Sequence, residues 1–180
     1  ITAMASLLGY GNITVLNLAI NLQALPLSIL GISIATAVFP QLSSHAAQKD
    51  LTSFKSKMNG ALWSTFGSVG VATLVIFIFR YQIVRLLFNV GNFSYADQRL
   101  TASILGIFMF GVIAQSLMHV MTRAFYSLQD TKTPFLIALF AIALTVGLGY
   151  LLALPLGGGL EGLASGMAIA YNVNFILLYF

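Results

Sequence analysis

The chain has 180 residues, 59% of them hydrophobic and only 7% charged, with a mean hydropathy of +0.96 and a net charge of +4. Globular domains carry about 25% charged residues, so this composition excludes a soluble domain and places the chain in a membrane. The basic residues are scattered, with no cluster or aromatic interleaving, which excludes a nucleic-acid partner, and the absence of cysteine excludes disulfides and thiolate metal sites.

At about 20 residues per crossing, the length allows some five or six crossings and no separate soluble domain. Ile1 to Leu8 reads as the tail of a helix, ended by the breaker-rich Gly9-Tyr10-Gly11-Asn12. Because the chain starts at Ile1 inside an apolar run with no basic residues ahead of it, it is expected to be a fragment of a longer protein and not to open on a signal peptide. Asn12 to Leu42 is the next apolar segment. As a straight helix it would run roughly 46 Å at about 1.5 Å per residue, against a hydrocarbon core of about 30 Å. It must tilt, kink or protrude, with Pro26 the expected kink and Pro40 the exit.

Ser43 to Met58 is polar and carries Lys49, Lys55 and Lys57, yet Leu51, Phe54 and Met58 recur at helical spacing. A helix over residues 52–79 follows, with Asp50 as its cap and the charge-free stretch Gly60 to Phe79 as the crossing. Arg80 to Ser94 mixes Ile83, Val84, Leu86, Leu87 and Phe88 with two arginines in a piece too short to cross. That pattern predicts an interfacial or shallow re-entrant segment ending at Asn89-Val-Gly-Asn92. Ser94-x-x-Asp97 has capping-box spacing and starts a helix over 95–128. Residues 134–154 and 160–180 are the last two crossings, joined by Pro155-Leu-Gly-Gly-Gly159. The expected fold class is an all-α polytopic membrane protein, five full transmembrane helices plus the end of a sixth, forming one membrane-embedded unit.

Orientation follows from the basic residues. Lys49, Lys55, Lys57, Arg123 and Lys132 fall on one side, and Arg80, Arg85 and Arg99 on the other, which favours the first side as cytoplasmic.

Small or weakly polar residues recur on one face of several crossings: Ser28, Gly31, Ala35; Gly60, Ser64, Ser68, Ala72; Ala141, Thr145, Gly149, Ala153; and Gly158, Gly162, Gly166, Ala170. In lipid the hydrophobic effect does not drive helices together, and small residues let backbones approach closely, so the ordinary role of each row is helix packing. Gln115, His119 and Arg123 form a polar stripe along one helix face from mid-membrane to the following loop. Ionisable groups inside a crossing usually face a bundle interior or a hydrated cavity. Arg123 also suits a helix C-terminus, where it opposes the dipole and snorkels, and His119 is either a hydrogen-bonded structural residue or a cavity liner. Asn17 and Asn21 make a second polar pair one turn apart, serving as interhelical glue or as headgroup contacts.

Catalysis finds no support. The acidic residues Asp50, Asp97, Asp130 and Glu161 all stand at predicted helix ends, with no paired carboxylates, metal-ligand spacing, nucleophile elbow or phosphate loop. An enzyme, a metal site and a cofactor are therefore not expected.

Three motifs carry a resemblance. They are Leu22-Gln-Ala-Leu-Pro26 with Gly31 and Ala35-Thr-x-x-Phe-Pro-Gln-Leu-Ser43, then Leu86-Leu-Phe-x-x-Gly-x-Phe93, then Arg123-Ala-Phe-Tyr-Ser-Leu-Gln-Asp-Thr-Lys-Thr-Pro134. In this order and spacing they resemble the MurJ (MviN) family of lipid II flippases, within the multidrug/oligosaccharidyl-lipid/polysaccharide superfamily. The resemblance implies that residues 1–180 are the second six-helix lobe, lacking most of its first helix, of a two-lobed protein of the bacterial cytoplasmic membrane. It also implies alternating access that carries lipid II, the undecaprenyl-diphosphate-linked precursor of peptidoglycan, with the bilayer and the missing N-terminal lobe as partners. Such transport needs a hydrated cavity with cations for the diphosphate and a lateral groove for the lipid tail. Asn17, Asn21, Gln115, His119 and Arg123 are the cavity candidates here.

Two departures stand out. The family pattern implies an arginine just before the Leu of the Leu-x-x-x-Pro element, where this chain has Asn21, so either the missing lobe supplies the cations or the cargo differs. Relatives that bind a cation use carboxylates or amides of the penultimate helix, and Pro134 to Leu154 contains none. The alternatives are a polysaccharide-lipid flippase or multidrug exporter of the same superfamily, or a non-transporting membrane scaffold.

Overall fold

A computed structural model describes residues 11–88 and 94–179. The expected helix tail at Ile1 to Leu8 and the expected segment end at Asn89 to Asn92 lie outside the described residues. The helices are α1 (Asn12–Pro26), α2 (Ser33–Ala47), α3 (Leu51–Phe88), α4 (Tyr95–Ser127), α5 (Lys132–Ala153) and α6 (Gly159–Tyr179), with a π-helical segment at Leu27–Ile32 joining the first two. Continuous through that segment, α1 and α2 make one long helix, so the described residues hold five helices long and apolar enough to cross a membrane.

Pro26 ends α1 without breaking the rod. Proline has no N–H to donate and its ring crowds the carbonyl four residues back, and the chain answers by widening the next turn into the π segment Leu27–Ile32. Serine hydroxyls cap the disturbed carbonyls, Ser28 donating to Ala24 O at 2.7 Å and Ser33 to Ser28 O at 3.3 Å. Pro40 is not the exit expected of it, because α2 runs past it to Ala47. Leu42, two residues beyond, is fully buried against Phe54 of α3 and Ala124 of α4, and that anchorage offsets the lost hydrogen bond.

Helix α3 departs further from expectation. It continues through Arg80 to Phe88, so no interfacial or re-entrant break occurs between Arg80 and Phe88. Arg80 is accommodated in place: its guanidinium donates to Phe77 O at 2.6 Å and stacks over the rings of Phe77 and Tyr81. One turn on, Val84 is fully buried in the common core. A charge with local partners ends an apolar run in the sequence without ending the helix.

The core is organised around α4. Its most apolar window is 67% buried, against 17% for α3 and 11% for α5, which makes it the central helix of the lobe. Ile104, Leu105, Phe108 and Val112 meet Leu16 and Ala19 of α1, Val69 and Val84 of α3, and Leu163 and Met167 of α6 in one cluster. Ser94 and Asp97 close the capping box that starts α4, with Asp97 N–H donating to Ser94 Oγ at 3.1 Å and Ser94 N–H to Asp97 Oδ2 at 3.3 Å.

Backbones touch where the small-residue rows are used. A Cβ on Gly162 would collide with Leu152 O, and one on Gly166 would lie 2.6 Å from Gly149 N, so α5 and α6 pack at main-chain distance. Gly31 likewise presses on Ser116 of α4, 2.7 Å from its Oγ for an added Cβ. The row Gly60, Ser64, Ser68, Ala72 behaves differently, since Gly60 and Ser64 are exposed and α3 buries Ala61, Thr65, Val69 and Thr73 instead.

The turns at Gln48–Asp50 and Leu128–Thr131 share a design. In each, one residue takes a left-handed conformation, Lys49 at φ 56 and Gln129 at φ 62, and an aspartate then receives the first N–H groups of the next helix. Ser53 N–H donates to Asp50 Oδ1 at 3.0 Å, and Thr133 N–H to Asp130 Oδ1 at 3.0 Å. Hydrogen bonds from Ser53 and Thr133 hold the two carboxyls below the usual carboxylate range.

Candidate functional site

His119 and Arg123 lie one turn apart near the C-terminal end of α4 and open onto one cavity of about 440 Å³. Pro134, Phe135 and Ala138 of α5 form its second wall, and Asn174 and Leu178 of α6 its third. The chain folds this way because the Gln129–Asp130 turn starts α5 close to the last turn of α4, while the glycine contacts hold α6 against α5. Arg123 is steadied from another side, its Cζ 5.4 Å above the ring of Phe39 on α2. Among the described residues it forms no ion pair with a carboxylate, the one such contact being His45 Nδ1 to Asp50 Oδ2 at 3.9 Å.

Asn174 completes the site and was not among the sequence candidates. It is only 7% exposed, and its Oδ1 is buried with no hydrogen-bond partner. A buried amide left unpaired costs about 1–3 kcal/mol, and its place in a cavity wall beside His119 and Arg123 gives a polar molecule in that cavity an acceptor to meet. The available signal was an amide inside an otherwise apolar crossing. Its neighbour Asn172 differs, donating Nδ2–H to Ala168 O at 2.8 Å and to Phe110 O at 3.3 Å, which ties α6 to α4.

The other candidates are not brought together with this cavity. Gln115 is half-buried one turn before His119, with Oε1 buried and unpartnered. Asn17 and Asn21 are exposed on α1, on the side away from the buried Leu16, Ala19 and Gln23. Neither asparagine bonds a neighbouring helix among the described residues. The amide that α1 buries is Gln23, 4% exposed with Oε1 unpaired. Its position in the Leu22–Pro26 motif was visible, but which face of α1 turns inward was not.

The arrangement offers a guanidinium, an imidazole and a carbonyl-type acceptor on the walls of a half-open, largely apolar cavity. Among the described residues no group of three or more His, Cys, Asp or Glu side chains could hold a metal ion. Groups such as this guanidinium and imidazole can hold a polar, anion-bearing molecule by charge-assisted hydrogen bonds.

Comparison with known proteins supplies the frame for this geometry. A family model described as "Lipid II flippase MurJ" matches residues 1–180. The chain is 30% identical to a "Probable lipid II flippase MurJ" of Borreliella burgdorferi over 99% of its own length and 35% of the relative's. It is 31% identical to the corresponding protein of Thermotoga maritima, over 96% of this chain and 34% of that one. The fold is that of a solved "Lipid II flippase MurJ, inward closed conformation", with a TM-score of 0.82 at 24% identity over 92% of this chain and 34% of the other. The chain thus spans about a third of the length of the relatives it matches, consistent with one lobe. With its apolar helices long enough to cross a bilayer, it is a multi-pass part of a bacterial inner-membrane protein, and it belongs to the lipid II flippase MurJ family.

Proposed function

We propose that this chain is the second lobe of a transporter that carries lipid II across the bacterial inner membrane by alternating access, its partner being an N-terminal lobe. The observation that carries the reading is the match of the lipid II flippase family along all 180 residues. Lipid II as cargo, rather than a polysaccharide lipid or a drug, is supported by the names of the relatives. In this reading the His119 and Arg123 cavity receives part of the polar headgroup. Arg123 supplies a permanent charge, held over Phe39, the imidazole of His119 adds a donor one turn deeper, and the Asn174 amide fills its open valence with a sugar, peptide or phosphate group. Gln115 extends the polar stripe inward. The side bearing Lys49, Lys55, Lys57 and Lys132 is cytoplasmic, so the cavity belongs to the inward-facing half of the cycle.

The test is lipid II flipped per folded molecule, with the full-length protein in proteoliposomes. His119→Leu is expected to lower transport roughly tenfold, the value of one hydrogen bond to a charged group, at unchanged abundance. His119→Lys should keep part of the activity, and Arg123→Ala should add to the defect with some loss of stability as its contact with Phe39 disappears. Wild-type transport by His119→Leu would return the stripe to the role of helix packing.

A further inference from the structure

The seam between α3 and α4 carries a second constellation away from the His119 cavity. Along the seam runs an open apolar groove of about 540 Å³, with Phe66, Leu74 and Phe77 of α3 facing Met109, Phe110 and Ile113 of α4. One helical turn past Phe77, about 6 Å at 1.5 Å per residue, the same two helices form a cleft of about 510 Å³. Its walls are Tyr81, Gln82 and Arg85 from α3 and Tyr95, Gln98 and Arg99 from α4. Every side chain on that wall can donate a hydrogen bond and none is acidic.

The neighbouring charges are already engaged. Asp97, the acid closest in sequence, accepts from Ser94 Oγ at 2.7 Å and Ser94 N–H at 3.3 Å in the capping box. Arg80 is turned onto Phe77 and Tyr81. Arg85 and Arg99 are both exposed, and neither pairs with a carboxylate among the described residues. Arg99 stands over the Tyr95 ring with Cζ 6.0 Å from its centroid. Tyr95 is also the first residue of α4, and the positive end of that helix dipole is met by the Asp97 carboxylate of the capping box.

Two uncompensated cations at the head of an apolar channel complement an amphiphile with an anionic head and a hydrocarbon chain. We propose that this end of the seam is a binding site for a phosphate-headed membrane lipid, with the phosphate between Arg85 and Arg99 and the chain along the Phe66–Phe77 groove. Guanidinium forks suit phosphate oxygens, and the exposed Gln82 and Tyr95 stand beside them on the cleft wall. The site uses none of the His119 cavity and does not depend on the identity of the transported cargo.

Native mass spectrometry of the delipidated full-length protein tests it, with phosphatidylglycerol as probe, diacylglycerol as the phosphate-free control and inorganic pyrophosphate as the soluble one. Wild-type protein should retain phosphatidylglycerol over diacylglycerol. Arg85→Gln with Arg99→Gln should lower that retention roughly tenfold or more, as expected for lost hydrogen bonds to a charged group, while Lys at both positions should keep part of it. Lys55→Gln with Lys57→Gln, at the other end of α3, should change nothing. Gly70→Leu fills the groove where an added Cβ meets nothing within 4 Å, so it should fold normally and still reduce lipid retention while sparing pyrophosphate. Equal phosphatidylglycerol retention by wild type and the double Gln variant would overturn the site. Arginine-dependent pyrophosphate binding without lipid retention would overturn the lipid as its occupant.

Discussion

At one end of the lobe Arg123 shares a helix face with His119, rests on Phe39 and looks across a cavity at a buried, unpaired amide. At the other, Arg85 and Arg99 come from different helices and stand exposed on an open cleft. The same charged group thus works in two regimes. Around Asn174 polar atoms are largely removed from water, so each missing partner is costly and each gained one counts. Around Arg85 and Arg99 water and salt reach the charges, so an ion is held weakly by any single contact and affinity depends on several.

The largest expected effect comes from breaking one end while sparing the other. Gly166→Val puts a side chain where even a Cβ would lie 2.6 Å from the backbone of Gly149, so α5 and α6 must separate. A loss of about 3 kcal/mol, the upper part of the overpacking range, is expected in the thermal stability of the full-length protein. Transport should fall with the cavity wall, while phosphatidylglycerol retention at the α3–α4 seam persists. Parallel loss of both would mean that the two ends are not independent.

A smaller effect sharpens the dry end. Asn174→Leu removes a buried acceptor that has no hydrogen-bond partner among the described residues, so it should raise stability by about 1 kcal/mol and lower transport, the exchange expected where a polar group is kept for a guest. Stabilisation with full transport would show that the amide serves no cargo. The smallest effect is in salt. Raising ionic strength from about 0.1 to about 1 M shortens the screening length from about 10 to about 3 Å and should weaken phosphatidylglycerol retention severalfold, leaving the stability gain of Asn174→Leu unchanged.

How much of this was legible in the sequence depends on the distance over which each feature is decided. The capping aspartates, the Ser94–Asp97 box and the close-packed faces of α5 and α6 are settled within a few residues of one helix, and they can be read there. The pairing of His119 with Arg123 is likewise an i, i+4 relation. Asn174 joins them only because two glycine-faced helices bring α6 to the cavity, and Arg85 meets Arg99 only because α3 stays helical beyond Arg80. That continuation was hidden by a rule of thumb that ends a crossing at the first charge. The inward turn of Gln23 and the outward turn of Asn17 and Asn21 depend on the rotation of α1 against α4, which no local pattern fixes.

The widened turn after Pro26 has a consequence for periodicity itself. Pro26 and Gly31 are successive buried positions across the segment, while Ile29 between them is 64% exposed. The interval is five residues, where a regular helix would return to the same side after three or four. The Leu27–Ile32 segment therefore acts as a phase shifter: it absorbs one residue so that Val15, Ala19 and Leu22 below it and Ala35 and Leu42 above it address the same neighbour, α4. A chain shortened by one residue at Ile29 could close to a regular helix with both stripes still aligned. The same deletion in the unbroken α3 would turn everything beyond it by about 100° and swing Val69, Thr73 and Val84 out of the core.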